Sequence, residues 1–94
     1  MPDIEAATTF FRHALGAEAL YDTLRPEDGP DEGPSIEQGL GVPEGTQKTR
    51  VRMLTLPHGP GLELFEFRAP HQREPVVSDL GWQHLAVYVD DLDA

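Results

Sequence analysis

Apolar residues recur at helical spacing near the start of the chain. Ile4, Ala7, Phe11 and Leu15 fall on one stripe, and Phe10 and Ala14 widen it, so a helix is predicted over residues 3–15. Asp3 suits the N-cap, because its carboxylate can accept backbone N–H groups that the first turn leaves without partners. Gly16 suits the stop, since glycine enters the left-handed region without a Cβ clash. Residues 17–24 follow at once. Their periodicity does not separate strand from helix, but Gly16 before them and Pro26 after them favour a short strand.

From residue 48 the pattern changes to alternation. In 48–56, Val51, Met53 and Thr55 share one face while Arg50, Arg52 and Leu54 share the other, which predicts a strand. A turn at 57–61 leads to a second strand over 62–68, so the pair reads as a β-hairpin. Leu62, Leu64 and Glu66 lie on one face of that strand; Glu63, Phe65 and Phe67 lie on the other. Residues 82–89 are a further predicted strand, with Leu85, Val87 and Val89 on an apolar face and Trp82, His84, Ala86 and Tyr88 on an amphipathic one. The helix is expected to pack on one side of the sheet, with Glu63 and His84 on the other. Prolines and glycines punctuate residues 25–47, which read as a long loop with one turn of helix near Ile36 to Leu40. A loop of that length is unusual in a small domain and points to a mobile segment or a cover over a site.

With 94 residues the chain is one small domain with a modest core. Lys and Arg number 7 against 17 Asp and Glu, a net charge of −10. That balance repels polyphosphates and anionic membrane surfaces, so neither nucleic acid nor membrane is an expected partner. The absence of cysteine excludes disulfides, thiolate metal sites and a cysteine nucleophile. No apolar run reaches membrane-spanning length, and the start Met-Pro-Asp-Ile-Glu carries no basic segment of a secretory signal. A cytoplasmic location is therefore expected.

Two residues stand out chemically. Glu63 sits between apolar neighbours on one strand and His84 beside Trp82 and Tyr88 on another, so the two offer a carboxylate oxygen and an imidazole nitrogen to a divalent metal. Two ligands do not complete a site, because catalytic metals usually take three protein ligands. The plainer reading, a solvated strand Glu and a hydrogen-bonded rim His, stands beside it. Phe65, Phe67, Trp82 and Tyr88 are available to line a substrate pocket. Arg50 and Arg52 read as solvent-facing strand residues, or as a carboxylate clamp. The stretch Gly39–Gly45 lacks the Lys-Ser/Thr ending of a phosphate loop, and Asp90, Asp91 and Asp93 lack the glycine and glutamate of a calcium loop.

The two ends of the chain are alike. Pro2-Asp3-Ile4-Glu5-Ala6 and Asp90-Asp91-Leu92-Asp93-Ala94, offset by 88 positions, each join an Asp N-cap to an aliphatic residue, an acid and Ala. The chain thus reads either as one period of a strand–helix–strands repeat or as two helix starts alike by chance.

Asp3-Ile4-Glu5-Ala6-Ala7, through Phe10-Phe11 to Leu15-Gly16-Ala17-Glu18, resembles the first helix of the vicinal oxygen chelate superfamily, the group of glyoxalases, bleomycin-resistance proteins and extradiol dioxygenases. Leu62-Glu63-Leu64-Phe65-Glu66 resembles its fourth strand, and His84 through Ala94 the start of its second module. The resemblance implies an α+β fold in which residues 1–94 form a single partial domain. That domain would be a glyoxalase-like βαβββ module, incomplete or permuted, with one helix and about four strands in a curved mixed sheet. It implies that Glu63 and His84 are ligands to a divalent metal (Zn, Ni, Mn or Fe(II)) and that Glu63 also moves a proton. The implied function is a metal-dependent lyase, isomerase or dioxygenase that chelates a small molecule through two oxygens, or a fragment of one. The alternative is a metal-free, bleomycin-resistance-like holder of a small ligand. In the permuted case strand 82–89 sits beside strand 62–68, and a two-fold homodimer supplies two Glu63 and two His84.

Overall fold

Asp3 starts the first helix. Its Oδ1 accepts the amides of Glu5 and Ala6, both at 3.0 Å, and α1 runs from Ile4 to Leu15. Gly16 ends it at φ 69°, its amide donating to the Arg12 carbonyl at 3.0 Å. The structure, a computed structural model, describes residues 3–81. The expected strand 82–89, with Trp82, His84 and Tyr88, lies outside them.

The inner face of α1 is narrower than its apolar pattern suggests. Ile4 and Thr8 are buried, with Ala7 and Phe11 packed beside them, whereas Ala14 is exposed and Phe10 is 62% exposed. Thr8 takes an inner position because its hydroxyl is satisfied there, donating to the Ile4 carbonyl at 2.6 Å and accepting from Arg52 at 3.0 Å.

Three antiparallel strands follow: β1 (Glu18–Leu24), β2 (Gln47–Thr55) and β3 (Gly61–Arg68), in spatial order β1-β2-β3. Arg52 sits opposite Asp22 on one side and Leu64 on the other; Met53 sits opposite Tyr21 and Glu63. The core is Ile4, Ala17, Leu54 and Leu64, with Ala7, Phe11, Leu56 and Leu62 against it. The helix therefore covers the sheet face that carries Leu54, Leu62 and Leu64. Alternation places Glu63, Phe65 and Phe67 on the opposite face.

Residues 25–47 are more ordered than the long loop expected of them. A 3-10 turn spans Pro26–Asp28, and a second helix, α2, spans Pro34–Leu40, longer than the one turn expected near Ile36 to Leu40. Pro34 opens α2 with a preset φ, and Gly41 closes it at φ 69°. The Glu37 carboxylate accepts the Gly45 amide at 2.8 Å and turns the chain back toward β2. Between the two turns Asp31 pairs with Lys48 through two backbone hydrogen bonds, of 2.9 and 2.8 Å. The segment is thus anchored along the start of β2 by backbone pairing, which composition does not reveal. The described part is α+β, with two α-helices and a three-stranded antiparallel sheet. No helix among the described residues is long and apolar enough to cross a membrane.

Candidate functional site

The two faces of the sheet carry different chemistry. On the helix side, Arg52 donates through Nε to Asp22 Oδ1 at 2.7 Å, through Nη2 to Glu5 Oε1 at 2.9 Å and through Nη1 to Thr8 Oγ1 at 3.0 Å. Arg50 Nη2 lies 3.0 Å from Glu5 Oε1 and 3.3 Å from Asp22 Oδ2. These arginines are not the solvent-facing residues expected from alternation alone. Their side chains are 17% and 12% exposed, because the first turn of α1 and strand β1 bring carboxylates over them. The hydrogen bond from Arg52 is the largest cause holding both the Asp22 and Glu5 carboxyls below their usual range. The same bonds, Asp22 first, raise Arg52 further above its already high value. A guanidinium so engaged is a brace between helix and sheet rather than a clamp for a substrate carboxylate.

Strand β3 carries two glutamates with opposite fates. Glu66 faces the helix. Its Oε2 accepts the Ile4 amide at 2.9 Å and its Oε1 accepts the Thr49 hydroxyl at 2.8 Å, so both oxygens are engaged. Glu63 is exposed on the opposite face and makes no hydrogen bond or ion pair among the described residues. Phe65 and Phe67 extend that face, their rings stacked with centroids 5.9 Å apart and planes 6° apart.

One further residue on this face escaped the sequence pattern. Simple alternation puts Lys48 with Arg50 and Arg52 on the helix side. The ladder is irregular between Lys48 and Arg50, and Lys48 pairs with Phe67 while Arg50 pairs with Glu66. One extra residue in a strand turns the side chain before it to the other face. Lys48 Nζ accordingly lies 6.0 Å from the centroid of the Phe65 ring and 3.3 Å from Asp31 Oδ2. The local signal is the run Gln-Lys-Thr-Arg at the strand start, but the bulge is visible only in the pairing with β3.

Of the expected metal ligands, the structure describes Glu63. A carboxylate that is exposed and unpaired among the described residues is chemically suited to a divalent cation. Among the described residues no three His, Cys, Asp or Glu side chains converge, and His84 lies outside them. Of the expected pocket residues, Phe65 and Phe67 are brought together on the Glu63 face, while Trp82 and Tyr88 lie outside the described residues.

Comparison with known proteins adds the ancestry. The model of the Glyoxalase/Bleomycin resistance protein/Dioxygenase superfamily matches residues 1–94. A curated 2-epi-5-epi-valiolone epimerase from Actinomyces sp. is 38% identical over 96 aligned positions, which cover 100% of this chain and 50% of that protein. The chain thus spans about half the length of the curated relative it matches. No solved structure matches.

Proposed function

The chain belongs to the Glyoxalase/Bleomycin resistance protein/Dioxygenase superfamily, and from that premise we propose that it builds part of a metal-dependent epimerase site for a hydroxylated ketone. The ligand class follows the name of the relative, in which "-ol" and "-one" denote hydroxyl groups and a ketone. The observation that carries the proposal is the position of Glu63, exposed and unpaired among the described residues, on the face opposite α1 beside the stacked Phe65 and Phe67 rings. Glu63 and His84 are the residues that would hold the cation. When bound, the cation supplies positive charge where an oxygen of the ligand becomes negative. Inverting a centre next to a ketone requires one proton to leave carbon on one face and another to return on the opposite face, so in a dimer one Glu63 would accept the first and the partner's Glu63, protonated, would deliver the second. The aromatic rings exclude water from one side of the ligand.

Two copies of the chain supply two Glu63 and two His84, so a homodimer is the assembly proposed to complete the site. The stacked rings also favour a second reading, a metal-free holder of a small ligand. One experiment separates the two: native mass spectrometry and calorimetry with Zn, Ni, Mn and Fe(II) offered in turn. The enzyme reading expects a dimer that binds metal, with Glu63→Gln and His84→Ala each weakening that binding. It is overturned if both variants bind metal as the parent does, or if the parent is a metal-free monomer. Inversion itself is read by loss of a carbon-bound proton from 2-epi-5-epi-valiolone in D2O.

A further inference from the structure

Lys48 is the single lysine of the chain, in a protein of net charge −10. It lies on the Glu63 face only because of the bulge at the start of β2. Its ammonium is fixed from two sides, by Asp31 Oδ2 at 3.3 Å and by the Phe65 ring at 6.0 Å, within the range of a cation–π contact. Phe65 stands two positions from Glu63 on the same face, so the ammonium and the Glu63 carboxylate share that face.

The ion pair with Asp31 is not what fastens the 25–33 segment to the sheet. Two backbone hydrogen bonds between the same residues already do so, at 2.9 and 2.8 Å. The Lys48 side chain is 18% exposed and that of Asp31 48%, so the pair is half open to water and adds less than an enclosed one would. An ammonium has three donors, and its one ion pair among the described residues is with Asp31, which leaves donors for a ligand on the Glu63 face.

We propose that Lys48 is a substrate-binding residue: its ammonium donates a hydrogen bond to an oxygen of a hydroxylated ketone bound on the Glu63 face of the sheet. Asp31 is the positioning residue that aims it. The ligand class rests on the epimerase reading above; the position of the ammonium does not.

A single lysine makes the test direct. Growth on 13C-lysine labels Lys48 alone and leaves its ammonium unmodified, and loss of the resonance in Lys48→Arg confirms the assignment. Titration with 2-epi-5-epi-valiolone, without metal, is expected to shift the Lys48 resonance saturably. Lys48→Met is expected to weaken binding about tenfold or more, the loss typical of a hydrogen bond from a charged donor. Lys48→Arg keeps most of the affinity, and the Zn affinity of Lys48→Met, a check on its fold, stays that of the parent. A Lys48 resonance that stays put throughout the titration overturns the proposal, and so does a Lys48→Met variant that binds the ketone as the parent does. The metal reading fails on a separate readout, Glu63→Gln binding Zn as tightly as the parent, and that result leaves the Lys48 titration intact.

Discussion

Glu66 Oε2 accepts the backbone amide of Ile4 at 2.9 Å, across 62 positions of sequence. The contact puts a carboxylate on the first turn of α1, where unpaired amides and the helix dipole favour negative charge. It also ties the end of β3 to the helix that covers the sheet. Glu66→Ala is expected to lower stability by about 1–3 kcal/mol, since it leaves a part-buried amide without a partner. Glu66→Gln keeps an acceptor oxygen and is expected to lose less. Urea unfolding of the two variants measures the order; equal midpoints for parent and both variants would count against the contact.

Glu63, three residues earlier, is expected to behave in the opposite way. Its side chain is exposed and unpaired among the described residues, so Glu63→Gln is expected to change stability by less than about 0.5 kcal/mol. The same substitution is expected to weaken divalent-metal binding, read by calorimetry. The pair of variants thus separates a folding glutamate from a functional one on a single strand.

Arg52 holds Asp22, Glu5 and Thr8 together. Arg52→Met is expected to cost about 2–3 kcal/mol, because it leaves a part-buried Asp22 with only the longer contact to Arg50. Asp22→Asn is expected to cost less, about 1–2 kcal/mol, since Arg52 keeps Glu5 and Thr8.

The same brace sets an acid limit. The Asp22 carboxyl lies below its ordinary value of 3.8 in the folded chain, chiefly through its hydrogen bond from Arg52. Its contribution is therefore complete above the unfolded-state value, and is lost as pH falls through the lower folded-state value. The midpoint of thermal unfolding is expected to fall as pH drops below about 4. Asp22→Asn is expected to flatten that part of the profile and leave its neutral limb parallel to the parent's.

Two glycines should respond with opposite signs. Gly16 has φ 69°, and an added Cβ would stand 3.4 Å from Pro57 Cγ; Gly16→Ala is expected to destabilise by about 1 kcal/mol. Gly39 lies inside α2 with nothing within 4 Å of an added Cβ. Gly39→Ala is expected to stabilise by about 0.5–1 kcal/mol. Paired melting curves test both.

Much of this architecture was legible residue by residue. The cap at Asp3, the stop at Gly16, and the alternation that separates Glu63 from Leu62 and Leu64 are local properties. Each follows from helix or strand geometry and needs no knowledge of what lies opposite. The family likeness was legible in the same segments. Other features depended on partners far along the chain. Phe10 has the spacing of a core residue and is exposed, because the inner face of α1 closes around Thr8 and Arg52. Arg50 and Arg52 read as solvent-facing until β1 brings Asp22, and α1 brings Glu5, over them. Prolines and glycines marked residues 25–47 as loop, yet pairing between Asp31 and Lys48 orders that segment. The same bulged ladder carries Lys48 to the Glu63 face, against its parity in the sequence. A side chain's period is set by its own backbone, whereas its partners, and its face beyond a bulge, are set by strands and helices that meet only when the chain has folded.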